Sequence, residues 1–290
     1  MIKRWLRIGK KVGKELKDDR ATGLAAEQAY YYMLALFPIL ILLLSIVPYL
    51  NIDLQKVIGF INSYLPSDTA SLVEDTVVDI VSERNGGLLT FGILGTIWSA
   101  SNGMNAFIRA MNFAFDVEET RSFIKTRLLS IGLTLGMIVA FLVALVLPVF
   151  GDVIIDLIRK ILFLPDSMEI LFRVLRWAIS ISVMVIVLAL LYRLAPNKHF
   201  PFKHVIPGAL IATLVWQLIS LGFSFYVSHF GNYASTYGSL GGVIVLMLWL
   251  YLTGLALVLG GEINAVYHRE NTPPSQSGKR SSDRGSALTT

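Results

Sequence analysis

The stretch Tyr237–Ala265 reads YGSLGGVIVLMLWLYLTGLALVLGGEINA, and it decides the fold class of this chain. No Asp, Glu, Lys or Arg lies between Phe230 and Gly261. About 20 apolar residues are enough for a helix to cross the core of a bilayer, so this stretch is predicted to span a membrane.

Small and polar residues recur along one face of this helix. Thr253, Ala256, Gly260 and Asn264 stand at i, i+3, i+7 and i+11, which keeps them within a narrow arc. Small residues let helix backbones approach closely in lipid, so this small-residue seam is interpreted as a helix-packing surface. The alternative interpretation is a seam that moves during a transport cycle.

The composition indicates a polytopic membrane protein throughout. Of the 290 residues 54% are hydrophobic and 16% are charged, with a mean hydropathy of +0.64; an ordinary soluble domain has about 25% charged residues. The absence of cysteine from the sequence excludes disulfides, thiol catalysis and Cys-ligated metals. No cofactor or metal site is predicted.

We expect an all-α bundle of six transmembrane helices with short amphipathic external helices. The domains are a basic amphipathic N-terminal helix over 1–27, a membrane domain over 28–268 and a disordered tail over 269–290. The external helices are placed near 54–61 and 73–80, where apolar residues have helical spacing among charged ones. The predicted spans are 28–52, 85–108, 128–151, 177–192, 205–228 and 237–265.

The charge distribution orients this bundle. With both termini in the cytoplasm, 19 of the 25 Lys and Arg residues fall in cytoplasmic segments and 6 in external loops. This asymmetry is what the positive-inside rule requires. The N-terminal segment alone holds eight of these bases before Ala21, around apolar residues that roughly share a face: Ile2, Trp5, Leu6, Val12 and Leu16. It is interpreted either as a helix on an anionic membrane surface or as a plain topology signal.

A polar stripe marks the second span. Asn102, Asn105, Arg109 and Asn112 stand at i, i+3, i+7 and i+10, on one side of a helix. Amides facing lipid would be costly, so the stripe is expected to face the bundle interior. It is interpreted either as interhelical hydrogen bonding or as part of a solute pathway. The further candidates for such a pathway are Gln217, Glu262 and Asn264.

Three stretches carry a resemblance to a known family: AAEQAYYYMLALFPILI (25–41), WSASNGMNAFIRAMNFAFDVEETRSF (98–123) and the final span quoted above. Together they resemble the YihY/BrkB family of bacterial inner-membrane proteins, from about Arg20 to His268. The resemblance implies six helices in a bacterial cytoplasmic membrane. Members have carried the labels ribonuclease BN and serum-resistance factor, and neither label assigns a role to a residue of this sequence.

The residues themselves do not favour an enzyme. Metal-dependent nucleases need clustered His and carboxylate ligands, and none of the four histidines forms a His-x-His or His-x-x-x-His pair. We therefore expect a transporter or flippase of an amphiphilic or anionic, lipid-linked envelope substrate. The alternative is a non-transporting scaffold for envelope biogenesis. The expected partners are membrane lipids, with anionic lipids among them, and a second copy of the chain, but no nucleic acid.

Overall fold

The computed structural model describes residues 2–50, 58–59, 77–78, 84–138, 169–230 and 239–272. All regular structure in these residues is helical, which confirms the all-α prediction for them. The helices are α1 (Ile2–Asp18), α2 (Ala21–Ile46, followed by a 3-10 turn over Val47–Tyr49), α3 (Gly86–Ala114), α4 (residues 123–138), α5 (Glu169–Leu194), α6 (Phe202–Phe230) and α7 (Ser239–Asn271).

Four of the described helices are long and apolar enough to cross a membrane. They are Ala21–Tyr49, Trp177–Leu194, Phe202–Val227 and Gly241–Asn271, and they correspond to the predicted first, fourth, fifth and sixth spans. The predicted second span, α3, is less apolar because amides and small residues fill its second half. Most of the predicted third span, of the external helices and of the tail lies outside the described residues.

The helix α1 turns into α2 through Arg20, which has a left-handed backbone with φ of 52°. The N-terminal helix therefore ends at Asp18, and the helix of the first span already begins at Ala21. Val12 of α1 is buried against α7 instead of facing a membrane surface, whereas Leu6 is 64% exposed. The predicted apolar face is therefore buried against α7 at Val12 and exposed at Leu6.

The final helix α7 lies at the centre of the bundle and contacts α1, α2, α3 and α6. Its glycines allow these contacts. A Cβ on Gly254 would lie 2.9 Å from the carbonyl oxygen of Ala25 in α2, and a Cβ on Gly261 would lie 2.6 Å from Met111 in α3. Without side chains at these positions the helix axes approach closely, which is the main source of helix association in lipid.

The tightest contact joins α6 and α7. A Cβ on Gly208 would overlap the carbonyl oxygen of Gly260, and the N–H of Gly208 donates to Asn264 Oδ1 at 2.7 Å. The hydroxyl of Tyr192 in α5 donates to the carbonyl oxygen of Leu257 at 2.9 Å, which adds a third helix at the same level. The apolar core of the bundle surrounds this crossing and includes Phe107, Met111, Val205 and Val258.

The helices α2 and α3 run antiparallel along most of their length. Gly92 packs on the backbone of Leu42 at one end, and Arg109 pairs with Glu27 at the other. The start of α3 is fixed by Asn85, whose side-chain oxygen accepts the N–H of Leu88 at 2.9 Å as an N-cap.

We predict that Gly208→Ala destabilises the bundle, because the added methyl group overlaps backbone atoms that no rotamer change can move. Overpacking of this kind costs about 1–3 kcal/mol. Thermal unfolding of the detergent-solubilised protein, followed by tryptophan fluorescence, measures the effect. The control is Gly222→Ala in the same helix, where an added Cβ has no neighbour within 4 Å. Equal melting temperatures for the two variants would contradict this account of the α6–α7 contact.

Candidate functional site

Polar side chains meet between α3 and α4. The Arg127 Nη1 donates to Asn102 Oδ1 at 2.6 Å and its Nη2 donates to the carbonyl oxygen of Trp98 at 3.1 Å. The Ser130 hydroxyl lies 3.0 Å from Asn105 Oδ1. We call these five residues, Trp98, Asn102, Asn105, Arg127 and Ser130, the α3–α4 polar seam.

The positive charge of this seam has no acidic partner among the described residues. Arg127 is only 8% exposed, and no carboxylate among the described residues pairs with it. Its Nε is buried without a hydrogen-bond acceptor. The guanidinium also stacks on the Trp98 ring, with Cζ 3.7 Å from the ring centroid. An amide, a carbonyl group and an aromatic face stabilise a cation, but none of them neutralises it.

The seam lies near the middle of α3 and at the rim of the bundle. Trp98 is twelve residues from the start of α3 at Gly86, or about 18 Å along a helix of about 43 Å. The Trp98 side chain is 58% exposed, and Leu128, the neighbour of Arg127, is 64% exposed. The buried cation therefore lies close to an exposed apolar surface of the bundle.

The other two residues of the predicted stripe point elsewhere. Arg109 Nε donates to Glu27 Oε1 at 3.0 Å, so this arginine has a carboxylate partner on α2. Asn112 Nδ2 donates to Glu119 Oε2 at 2.8 Å, and its Oδ1 accepts the N–H of Asn197 at 2.8 Å. The stripe therefore contacts four neighbours: α4, α2 and the two loops that follow α3 and α5.

Asn112 and Asn197 are the centre of a polar clasp between these loops. Asn197 Nδ2 donates to the Glu118 carbonyl oxygen at 2.9 Å, and Arg121 Nη2 donates to the Ala195 carbonyl oxygen at 2.9 Å. The side-chain hydrogen bonds from Arg121 hold the pKa of Glu119 below its usual range. These bonds fix the ends of α3, α5 and α6 relative to one another, so the role of Asn112 in this structure is to position helices.

The remaining candidate residues lie on α6 and α7, away from the polar seam. Asn264 bonds to Gly208, and Gln217 lies nine residues further along α6, about 13 Å away along the helix axis. Gln217 is half-buried and makes no side-chain hydrogen bond within the described residues. Glu262 is fully buried, has no hydrogen-bond donor and lies within reach of the Asp19 carboxyl group.

The small-residue seam of α7 contacts α5 and α6. Thr253 Oγ1 accepts the indole N–H of Trp216 at 3.3 Å. Ala256 is buried, and a Cβ on Gly260 would lie 2.8 Å from the Cβ of Ala212. Glu262 lies on a different side of the helix, toward the α1–α2 turn. The seven pathway candidates therefore do not form one cluster.

Sequence reasoning missed two features of the site. The sequence pattern assigns Arg127 to a cytoplasmic loop as one of its basic residues. In the structure, Arg127, Ser130 and Thr134 stand at i, i+3 and i+7 of α4, and all three side chains are buried. His204 and His268 are 64 residues apart in sequence, but their Nδ1 atoms lie 2.8 Å apart. No group of three or more His, Cys, Asp or Glu side chains within the described part of the chain could hold a metal ion.

We predict that Glu119→Gln lowers the melting temperature near neutral pH, because the clasp loses its ionised acceptor. A depressed pKa stabilises the fold above the pKa of the unfolded chain, and this contribution is lost as the pH falls through the folded value. The difference between variant and parent should therefore shrink on acidification below the usual range of a glutamate. Thermal unfolding in detergent across this pH range measures it, with Glu118→Gln as the control, since Glu118 contributes only its backbone carbonyl. A difference that does not change with pH would contradict the prediction.

Comparisons with known proteins give the family. The family described as Virulence factor BrkB matches residues 12–285. YfkH of Bacillus subtilis (strain 168), which is described as a ribonuclease-like protein, is 48% identical to this chain over 252 residues. The match covers 87% of this chain and 92% of YfkH. The UPF0761 membrane protein XAC0937 of Xanthomonas axonopodis pv. citri (strain 306) is 26% identical over 90% of this chain, which spans 61% of that relative. A UPF0761 membrane protein of Tolumonas auensis is 42% identical over 76 residues, 26% of this chain and 25% of that protein.

No solved structure matches the chain. The family match covers most of the sequence, and several relatives are described as membrane proteins, in agreement with the four apolar helices of membrane length. The chain is therefore a membrane protein of the BrkB family.

Proposed function

We propose that the chain crosses a bacterial cytoplasmic membrane six times, with both termini in the cytoplasm. The antiparallel contact between α2 and α3, from Gly92 to Arg109, supports α3 as a span, since it accompanies a helix of membrane length. The helix α4 follows α3 after a short loop over residues 115–122 and contacts it along the polar seam. The excess of Lys and Arg in the segments assigned to the cytoplasm supports the orientation.

Within that topology, the protein moves an amphiphilic or anionic, lipid-linked substrate of the cell envelope and is not an enzyme. The observation that carries this proposal is the buried guanidinium of Arg127, which lies beside the middle of α3 and pairs with no carboxylate in the described part of the chain. Leaving a charge unpaired away from water is expensive, so intramembrane cations mark functional sites more often than packing sites. An anion supplied from outside the chain would neutralise the charge of Arg127.

The surroundings of Arg127 suit an amphiphile. A guanidinium donates two parallel hydrogen bonds to a phosphate or carboxylate group. Asn102 and Asn105 add amide groups beside it, and Ser130 adds a hydroxyl. The exposed apolar surface next to Trp98 and Leu128 would let acyl chains remain in the bilayer while the headgroup enters the seam. A flippase needs this combination of a polar track for the headgroup and lateral access for the tails.

A scaffold for envelope biogenesis is the second candidate. It is favoured by the fact that Asn105 and Ser130 already bond to each other and that Asn112 belongs to the loop clasp. Interhelical hydrogen bonds of this kind hold bundles together without any transport. The two candidates differ in whether water and solutes reach the seam.

Cysteine accessibility separates these candidates, because the chain contains no native cysteine. Single cysteines at Asn105 and Ser130 report on the seam, and Leu128→Cys is the lipid-facing control. We expect an impermeant thiol reagent to label Asn105→Cys and Ser130→Cys but not Leu128→Cys. An anionic amphiphile bound in the seam should protect the first two cysteines from the reagent. Folded protein that is unlabelled at both seam positions would contradict the pathway and favour the scaffold.

We further predict that Arg127→Gln weakens the protection by the anionic amphiphile by more than about tenfold, since losing a buried charge partner costs about 2–5 kcal/mol. Arg127→Lys should retain part of it, because the charge remains without the bidentate geometry. Lys125→Gln is the matched control, as it removes one exposed charge from the same helix. Equal losses in Arg127→Gln and Lys125→Gln would contradict a specific anion contact.

A further inference from the structure

The basic helix α1 is attached to the bundle by one face only. Ile8 and Val12 are buried against Ile263 and Val266 of α7, and the partly buried Ile211 of α6 packs on the same cluster. The opposite face of α1 is therefore exposed, and of the cations on it Lys14 also reaches a cavity beside α7.

That outward face is basic. Arg7, Lys10, Lys14 and Lys17 stand at i, i+3, i+7 and i+10, on one side of the helix, and all four are exposed. None of them pairs with an acid among the described residues. A row of cations this close to a membrane domain attracts anions from its surroundings.

A cavity of about 360 Å³ opens between α1 and α7 beside this row. Its volume corresponds to roughly twelve water molecules, which is ample for a phosphodiester group. The lining residues are Lys11, Lys14, Glu15, Val266, Arg269 and Glu270.

The charges around the cavity do not balance. Lys11 pairs with Glu270, and Arg269 lies 3.2 Å from Glu15, so Lys14 remains as an excess positive charge. Arg269 also lines the cavity, and its side chain is 33% exposed. Two cationic side chains therefore face the same space from two different helices.

The position of the cavity identifies the source of an anion. It lies at the end of the bundle where α6 begins and α7 ends, because His268 beside it touches His204 in the first turn of α6. Helices of membrane length end at the level of the lipid headgroups. Basic pockets at this level typically receive anionic headgroups.

We propose that the cavity between α1 and α7 binds the phosphodiester group of an anionic phospholipid, held by Lys14 of α1 and Arg269 of α7. The bound headgroup neutralises the excess charge and links α1 to the last turn of α7. This site is separate from the α3–α4 polar seam and does not depend on transport. The phosphate group of a lipid and that of a soluble compound both offer the site negatively charged oxygens, so the test includes a probe of each kind.

Native mass spectrometry of the full chain in a neutral detergent tests the proposal, with phosphatidylglycerol, phosphatidylcholine and soluble glycerol phosphate as probes. We expect one phosphatidylglycerol to bind more tightly than phosphatidylcholine. Lys14→Gln should weaken that binding about fivefold, because one basic residue near a membrane surface strengthens the attraction of anionic lipids by about that factor. Lys17→Gln is the matched control, since it removes the same charge from the same exposed face but does not line the cavity.

Three outcomes would overturn the proposal. Equal losses in Lys14→Gln and Lys17→Gln would indicate diffuse attraction by the whole helix. Equal binding of the two phospholipids would exclude recognition of the anion. Binding of glycerol phosphate as tight as that of the lipid, with the same dependence on Lys14, would assign the site to a soluble phosphate compound instead.

Discussion

The close approach of α6 and α7 at Gly208 and Gly260 is the constraint on which the rest of the bundle depends. Lipid tails are as apolar as leucine, so burying apolar surface gives these helices little reason to associate. Contact of two backbones, reinforced by the Gly208–Asn264 hydrogen bond, replaces that driving force. With α6 in place, α5 joins through Tyr192, while other faces of α7 receive α1, α2 and α3. A side chain at either glycine would separate the axes and loosen every one of these contacts.

The same arrangement decides which polar groups are structural. Three that lie near α7 or near the loop clasp have partners inside the chain: Asn264 has a backbone N–H, Asn112 has Glu119 and Asn197, and Arg269 lies beside Glu15. The buried Glu262 of α7 is the exception, with no hydrogen-bond donor among the described residues. The α3–α4 polar seam lies on the far side of α3, away from this central contact. Side chains there are held by a single helix pair, and one of that pair, α4, has a largely exposed apolar face. A site held in this way is less constrained than the core, which is consistent with the exchange of lipid-linked anions that we propose for it.

The sequence predicted the helical class and six spans, of which four correspond to membrane-length helices among the described residues, because each depends on local composition or on period alone. It marked the small residues of α7 as a packing surface without naming the helix that packs on them. It did not predict the neighbours of the polar stripe. Asn102, Asn105, Arg109 and Asn112 share a face, yet an arc of about 80° on a helix this long is wide enough to meet two helices and two loops. The role of Arg127 depends on how α4 is placed against α3, which no local pattern encodes. The contact between His204 and His268 has the same origin, since it exists only once α6 and α7 are aligned.

Two arginines near one another in the chain show why Arg127 stands apart. Arg109 enters the bundle from α3 and meets Glu27 on α2, so the fold itself supplies the compensating charge. Arg127 is more deeply buried, and among the described residues it meets an amide, a carbonyl oxygen and an indole ring but no carboxylate. A chain that needed Arg127 only to join α3 to α4 could use a neutral donor there and avoid burying a charge. The positive charge itself is therefore the property that requires an explanation, and an anion from outside the chain provides one.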